Sequence, residues 1–180
     1  STGTVQWTAD GVALCTATSW QFYPTIVADG AGGAIVTWMD WRTDHWDTYA
    51  QRISSTGTVQ WTADGVALCT ATGHQYDPKI VSDGAGGAIV TWYDERSGYD
   101  IFDIYAQRIS ASGTAQWTAD GVALCTATGN QRYPKIVADG AGGVIVVWED
   151  RRGGNNHIYA QKVDGTGQLG SECGSGNEAV

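Results

Sequence analysis

The sequence is poor in charge, and poorest in positive charge. Only 16% of its 180 residues are charged, and ten Lys and Arg against nineteen Asp and Glu give a net charge of −9. There is no cluster of basic residues, so nucleic-acid binding, which depends on displacing counterions with Lys and Arg, is not expected. No apolar run approaches the roughly 18 residues of a membrane span, and no signal-peptide pattern is visible.

Phenylalanine, methionine and proline are also scarce, with two, one and three residues, whereas tryptophan occurs nine times and glycine 25 times. No stretch combines helical periodicity with capping residues, which argues against helices. Many glycines together with large aromatic side chains are typical of short strands joined by tight turns. The composition therefore predicts an all-β protein.

Tryptophans reveal an internal repeat of about 55 residues, the spacing at which modular β-folds repeat. Residues 1–18 are identical to 55–72, and the third copy differs from them at three positions. We place the repeats at 1–54, 55–110 and 111–164, followed by a degenerate tail at 165–180, all within a single domain over 1–180. The repeat tryptophans are Trp7, Trp61 and Trp117, spaced by 54 and 56 residues, and Trp38, Trp92 and Trp148 with the same spacings.

Each repeat predicts four short strands. In the second repeat the first three cover 79–81, 88–92 and 104–109, and the fourth covers 114–118 and carries Trp117. The Asp-Gly-Ala-Gly-Gly segment between the first two is a turn, because glycine supplies the positive φ that hairpins require. Four antiparallel strands at this period predict the blades of a β-propeller, with a solenoid or tandem small sandwiches as the alternatives.

The order Pro-x-Ile-Val-x-Asp-Gly, Ile-Val-x-Trp-x-Asp-x-Arg, Ile-Tyr-Ala-Gln and Ser-x-x-Gly-x-x-x-Trp covers nearly the whole chain. It resembles the blades of sialidase-type (Asp-box) propellers: Ser54, Gly57 and Trp61 are present, whereas the aspartate of the box is missing and its glycine is displaced. It resembles still more the tandem repeats of large secreted bacterial surface proteins. The resemblance implies a bacterial protein in an extracellular or cell-surface location.

Three blades do not close a propeller ring, and an unpaired blade exposes an apolar face and a strand edge. We therefore expect a head-to-tail homodimer that closes a six-bladed ring. The predicted strand at residues 4–8 would complete the last blade of the partner.

Four cysteines are present, and three of them occupy the same place in successive repeats. Cys15, Cys69 and Cys125 are expected to be small buried residues and not a disulfide framework, since equivalent positions in neighbouring blades tend to lie too far apart. The pairing of Cys173, outside the repeat, is left open.

No metal or cofactor is expected. The three histidines occupy positions that are not equivalent in the repeats. The Asp-Gly-Ala-Gly-Gly turns could offer oxygens to calcium, but they lack the dense Asp and Asn spacing of dedicated calcium loops.

Differences between the copies mark the candidate binding face. They collect before the first strand and between the second and third strands, and both loops lie on one face of a propeller. Aromatic side chains beside carboxylates and amides are how proteins hold sugar rings, so a glycan or protein ligand is predicted there. The alternative is that these aromatics pack under their loops. The candidate residues are Trp20, Trp41, Asp44, His45, Trp46, His74, Tyr76, Tyr99 and Arg132.

Every copy also carries an Asp-x-Arg motif. A local ion pair in each loop explains three copies better than a single asymmetric catalytic site does. The sequence therefore favours a non-enzymatic binding or adhesion module, with a purely structural self-assembling repeat as the alternative and a sialidase-like glycosidase as the least favoured one. The arginines assigned this structural role are Arg42, Arg96 and Arg152, beside Asp40, Asp94 and Asp150.

Overall fold

A computed structural model describes residues 6–170 of the chain, and all regular structure there is antiparallel β-sheet. Three sheets form, with strand orders β1-β2-β3-β4, β5-β6-β7-β8 and β9-β10-β11, here called blades 1, 2 and 3. No helix of the described residues is long and apolar enough to cross a membrane. The strands are β1 (Gln21–Ala28), β2 (Ala34–Asp40), β3 (Asp47–Ile53), β4 (Val66–Cys69), β5 (Gln75–Ser82), β6 (Ala88–Asp94), β7 (Asp103–Ile109), β8 (Val122–Cys125), β9 (Gln131–Ala138), β10 (Val144–Asp150) and β11 (His157–Val163).

The three sheets are blades of a β-propeller, as the repeat predicts. Strand β1 contacts β5, and β5 contacts β9, so the first strands of the blades converge at the inner edge. Apolar faces of neighbouring blades pack on each other. Ile104 and Leu124 of blade 2, for example, are buried against Trp148 of blade 3. Because burial of these faces supplies most of the stabilising free energy, each blade depends on its neighbour.

The predicted fourth strand is wrong. Residues 114–118 form only an isolated bridge, between Ala115 and Ile109, and Trp117 lies in the segment that crosses to the next blade. Its indole Nε1 donates to the Gly165 carbonyl of blade 3 at 3.2 Å, which fixes the crossing. The fourth strand is the Val-Ala-Leu-Cys segment a few residues later, β4 or β8, whose Leu and Cys are buried. The predicted strand at 4–8 lies partly outside the described residues, and Cys173 lies wholly outside them. Trp7 lies outside any strand.

The first strand begins earlier than predicted, at Gln75 and not at Lys79. A β-bulge between Tyr76 and Lys79 interrupts its register with β6, and this irregularity hid the strand's start from the sequence pattern. The predicted Asp-Gly-Ala-Gly-Gly turn is present. In blade 1 the Asp29 carboxylate accepts from the backbone N–H groups of Ala31 and Gly33, at 2.8 Å each.

A buried aspartate ends the second strand of each blade. In blade 1, Asp40 accepts from Trp38 Nε1 at 2.9 Å and pairs with Arg42 Nη2 at 2.6 Å. Arg42 also lies 3.9 Å from the ring centre of Tyr49 and donates to Cys15 Sγ at 3.3 Å. Burial opposes ionisation of Asp40, but the hydrogen bonds from Arg42 and Trp38 outweigh it, so the pKa of this carboxyl lies below its usual value.

The same network recurs in blades 2 and 3. Arg96 pairs with Asp94 and Arg152 with Asp150, both at 2.6 Å, and each arginine donates to the cysteine in the fourth strand of the preceding blade. Cys69 and Cys125 are buried as predicted, whereas Cys15 is half-buried.

We expect Asp40→Asn to lower the free energy of unfolding at neutral pH by about 2–3 kcal/mol, because it removes charge-assisted hydrogen bonds from a buried network. A carboxyl whose pKa is depressed by folding stabilises the protein above its unfolded pKa and loses that effect as the pH falls through the folded pKa. The difference from the wild-type chain should therefore shrink below about pH 4. Urea denaturation across this range tests it.

The matched control is Asp44→Asn in the same loop, where the side chain is exposed. It should change stability by less than about 0.5 kcal/mol at any pH. Equal effects of the two variants at neutral pH would contradict the assigned role of Asp40.

Candidate functional site

A cleft of about 530 Å³ lies where the inner strands of the three blades converge. Six of its lining side chains are aromatic, and Asp77 is the one charged residue among those that line it. The cleft is thus an apolar, ring-lined surface with a single carboxylate. Its lining residues are Phe22, Tyr23, Met39, Trp46, Tyr76, Asp77, Tyr93 and Tyr133.

Three of these side chains come from one repeated backbone feature. Tyr23, Asp77 and Tyr133 have φ values of 54°, 53° and 58°, and each precedes a proline. Left-handed backbone is unfavourable for tyrosine, and a following proline normally favours extended structure. The bulge in the first strand of each blade imposes this conformation and directs a side chain into the cleft. Strain of this kind is held where surrounding structure fixes it, and it concentrates at functional sites.

A continuous aromatic array runs from the loop of blade 1 into the cleft. The Trp41 and Trp46 rings meet edge to face at 4.8 Å, and Trp41 stacks on His74 at 5.4 Å. His74 lies 5.5 Å from Tyr76, which stacks on Tyr93 at 5.3 Å. Aromatic pairs at these separations contribute stabilising free energy beyond that of burying their apolar area, so the rings of the array hold one another in place.

The polar groups of the cleft differ in their environment. Burial raises the pKa of Tyr93 to about 12, with Tyr133 adding a smaller effect, so the Tyr93 phenol stays protonated and can donate a hydrogen bond. Asp77 pairs with Lys79, and its backbone N–H points to Met39 Sδ at 3.5 Å. The cleft therefore offers a neutral hydroxyl donor and a carboxylate on the same strand pair.

The structure brings four of the predicted ligand-binding residues together. Trp41, Trp46, His74 and Tyr76 all belong to the aromatic array, and Trp46 and Tyr76 also line the cleft. Trp20 extends the array outward, with its ring 6.5 Å from Trp41, and is itself exposed. The predicted aromatic face is thus one surface.

The other four predicted residues lie outside the cleft lining. Asp44 is exposed, and Tyr99 is 95% exposed. His45 Nε2 lies 3.1 Å from the buried Asp47. Arg132 lies over the ring of Phe102, 4.1 Å from its centre, and pairs with Asp100 at 2.7 Å, so it braces the loop of blade 2.

Sequence reasoning did not single out six of the eight lining residues. The signal was present in the disagreement among copies at the position before proline, which reads Tyr, Asp, Tyr. A second signal lies in the cross-strand pair beside it, which is Phe22 with Met39 in blade 1, Tyr76 with Tyr93 in blade 2 and Arg132 with Glu149 in blade 3. Both positions were assigned to loops or scaffold because the bulge was not foreseen. The missed residues are Phe22, Tyr23, Met39, Asp77, Tyr93 and Tyr133.

Within residues 6–170, no three His, Cys, Asp or Glu side chains are grouped so that they could hold a metal ion. The buried Asp47 and Asp103 do not join the cleft lining. Burial raises the pKa of both carboxyls despite hydrogen bonds from Thr43 and Ser97. They anchor the loops between the second and third strands.

The fold is similar to that of solved glycosidase structures. No family model and no curated protein matches the sequence. The structure is similar to a thermostable family-43 glycoside hydrolase (TM-score 0.54, 14% identity, 86% of this chain and 55% of that one). It is also similar to an endo-arabinase (0.51, 16%, 83% and 60%) and an endo-1,4-beta-xylanase (0.51, 8%, 97% and 59%), both from Bacteroides thetaiotaomicron. The chain spans just over half the length of these proteins.

These similarities correct the functional prediction. The interpretation as a non-enzymatic module is wrong, because the matching structures are glycoside hydrolases, and the least favoured alternative, a glycosidase, fits them better. The predicted resemblance holds for the propeller fold, but its Asp-box part gains no support from these matches. The physical reason for the error is that near-identity is confined to the scaffold. At the bulge the copies differ, and this makes one asymmetric site.

The strained bulge predicts an unusual order of substitutions at position 23. Tyr23→Gly should be more stable than Tyr23→Ala by about 1 kcal/mol, because glycine adopts positive φ without the steric penalty of a Cβ. At Ile26, which is equally exposed on the same strand, the order should reverse, with glycine about 0.5–1 kcal/mol less stable than alanine. Chemical denaturation of the four variants measures both differences. The same order at both positions would mean that position 23 holds no strain.

Proposed function

We propose that this chain belongs to a carbohydrate-active enzyme of the propeller glycoside hydrolase type, and that its aromatic cleft binds a saccharide. The observation that carries the proposal is the cleft itself, which combines six aromatic side chains with one carboxylate at the inner ends of the blades. The similarity of the fold to three glycosidases supports it.

The cleft suits a sugar chain on physical grounds. Aromatic faces stack on the C–H face of a sugar ring, and neighbouring polar groups bond its hydroxyls. Trp46 and Tyr76 supply faces, while the Tyr93 phenol and the Asp77 carboxylate supply a donor and an acceptor. A volume of about 530 Å³ lies within the range of small-molecule sites.

Hydrolysis of a glycosidic bond needs two carboxyl groups, one to protonate the leaving oxygen and one as base or nucleophile. Asp77 is the first candidate, because it lines the cleft and pairs with Lys79, and we assign it the role of base or nucleophile. Glu149 is the second. It occupies in blade 3 the position of Met39 and Tyr93, both of which line the cleft. Glu149 is not among the residues that line the cleft, and we assign it the role of acid from its register position in blade 3, where its carboxyl accepts from Asn156 at 3.0 Å.

Polymers of pentose sugars are the substrates to test first, because the similar structures include an endo-arabinase and an endo-xylanase. Such polymers are met outside the cell, so the proposal favours the extracellular or cell-surface location expected from the sequence.

Substitutions in the array should weaken saccharide binding. We expect Trp46→Ala and Tyr76→Ala to raise the dissociation constant for arabino- or xylo-oligosaccharides at least about tenfold, because each removes a stacking face. Tyr99→Ala, an aromatic substitution at a side chain outside the cleft, is the matched control and should bind like the wild-type chain. Isothermal titration calorimetry gives the constants. Failure of the wild-type chain to bind either oligosaccharide would count against the proposal.

Substitution of the carboxylates should separate catalysis from binding. Asp77→Asn and Glu149→Gln are each expected to lower kcat on arabinan or xylan by about 10²–10⁴-fold, with a smaller effect on KM. Reducing-end assays measure both. An unchanged kcat would remove these residues from the catalytic role.

A further inference from the structure

Blade 3 differs from the other two at its outer edge. In blades 1 and 2 a fourth strand from the following repeat covers this edge, with β4 pairing β3 and β8 pairing β7. Within residues 6–170, β11 has no such partner, and its sheet has three strands. The edge strands themselves are alike, since β3, β7 and β11 share the sequence Tyr-Ala-Gln, so the blades differ in whether a fourth strand is paired and not in the strand that would accept it.

The uncovered edge is apolar. Ile158 of β11 is 73% exposed, whereas Ile104, at the equivalent place in blade 2, is fully buried. Ala160 is likewise exposed, and its equivalents Ala50 and Ala106 are fully buried. An exposed strand edge with apolar side chains is a template for pairing with another strand.

Within residues 6–170, Arg152 of blade 3 also lacks the backbone partner that its equivalents have. Arg42 and Arg96 each donate to a backbone carbonyl of the crossing segment, that of Asp64 at 2.7 Å and that of Asp120 at 2.8 Å. Within residues 6–170, Arg152 has no such carbonyl. In blades 1 and 2 the segment that supplies this carbonyl carries an Asp-Gly turn and then Val-Ala-Leu-Cys.

The side-chain amide of Gln161 makes fewer hydrogen bonds in the described structure than its equivalents in blades 1 and 2. In blade 1 the Gln51 side chain bonds two backbone groups of the crossing segment, accepting from Trp61 N at 2.9 Å and donating to Thr62 O at 2.7 Å. Gln107 does the same in blade 2. In the described chain the Gln161 side chain accepts only from the backbone of Lys162. Blade 3 is therefore prepared for a crossing segment at several separate points.

The chain holds a segment of that description with an open edge. Residues 12–15 are Val-Ala-Leu-Cys and, in the described structure, belong to no strand. One side of this segment packs on blade 1, where Leu14 and Cys15 contact the cluster of Trp38. The equivalent contact in the next blade is that of Cys69 with Asp94. The seated segment presents its other edge outward.

The turn before this segment is also formed in advance. Asp10 and Gly11 have φ values of 67° and 98°, close to the 61° and 90° of Asp64 and Gly65 before β4. The Gly11 N–H donates to the Thr8 carbonyl at 3.2 Å, as that of Gly65 does to Thr62 at 3.0 Å. Because the turn has the same conformation before binding, little conformational entropy is lost on association.

We propose that residues 6–16 of a second copy of this chain complete blade 3, with their Val-Ala-Leu-Cys segment pairing antiparallel to β11. By equivalence with the other blades, Tyr159 lies opposite Ala13 of the second copy and Ala160 opposite its Val12. The Asp10 carbonyl of the second copy accepts from Arg152. Reciprocal docking joins the two copies head to tail and closes a ring of six blades.

The identity of the occupant follows from sequence. The segment that blade 1 binds as β4 lies in residues 55–72, which are identical to residues 1–18. The accepting strand of blade 3 shares the Tyr-Ala-Gln core of β3, so we infer that it accepts the same segment. This inference concerns assembly and does not depend on the proposed function.

Sedimentation equilibrium of the full chain from about 1 to 100 µM tests the proposal, since association depends on protomer concentration. We expect a dimer. Ile158→Lys on the accepting edge, and Ala13→Pro on the donated segment, should each raise the dimer dissociation constant at least about 100-fold, because a buried lysine and a proline both oppose the ladder. Both positions are exposed in the single chain, so circular dichroism should be unchanged. Tyr99→Lys is the control and should dimerise normally.

Mixing the two variants identifies the geometry. The Ile158→Lys chain keeps a sound donated segment, and the Ala13→Pro chain keeps a sound accepting edge, so an equimolar mixture should regain one junction and associate. A two-fold interface that uses the same patch on both copies would show no such recovery. The proposal is overturned by a monomeric wild-type chain, by variants that dimerise like the wild type, or by a mixture that stays monomeric.

Discussion

A buried aspartate at the end of the second strand holds each blade together. Asp40, Asp94 and Asp150 are fully buried, and each is bonded by an indole two residues before it and by a guanidinium two residues after it. A buried carboxylate is stable only when an oppositely charged group and hydrogen-bond donors compensate its charge. The arginine that meets it also covers a tyrosine ring of the third strand, so one interaction fixes the loop, two strands and the cysteine segment beside them.

The parts of the fold that could be predicted from the sequence are those that local sequence patterns determine. Strands β6 and β7, the glycine turns and the Asp-x-Arg pairs all arise from local patterns, and they could be predicted from alternation and turn chemistry. The fourth strand could not, because its identity depends on which segment crosses between blades. Trp117 looked like a strand residue, yet its indole is used to fasten the crossing to Gly165. The true fourth strand, β8, has only four residues, and so short an apolar segment shows no clear alternation from which a strand could be predicted.

The site was predictable in part for a similar reason. Large aromatic side chains in variable loops pointed to the surface that Trp41, Trp46, His74 and Tyr76 form. Asp77 and its tyrosine equivalents were assigned to the variable loop before the first strand but not named as ligand-binding residues, because a residue before proline in left-handed backbone breaks the rule from which strands are recognised. Local sequence rules fail most readily where structure imposes strain, and here that failure falls on the residues that line the cleft.

The crossing segment has a consequence for how such a chain can change its length. Blade and repeat are out of phase, since each blade takes its last strand from the repeat that follows. Every repeat therefore carries one donated strand and one accepting edge. Duplication or loss of a whole repeat within the gene joins the same two surfaces that every other junction joins, so no new kind of contact has to evolve. The number of blades can vary by single genetic steps, while the bulge residue of each blade diverges on its own.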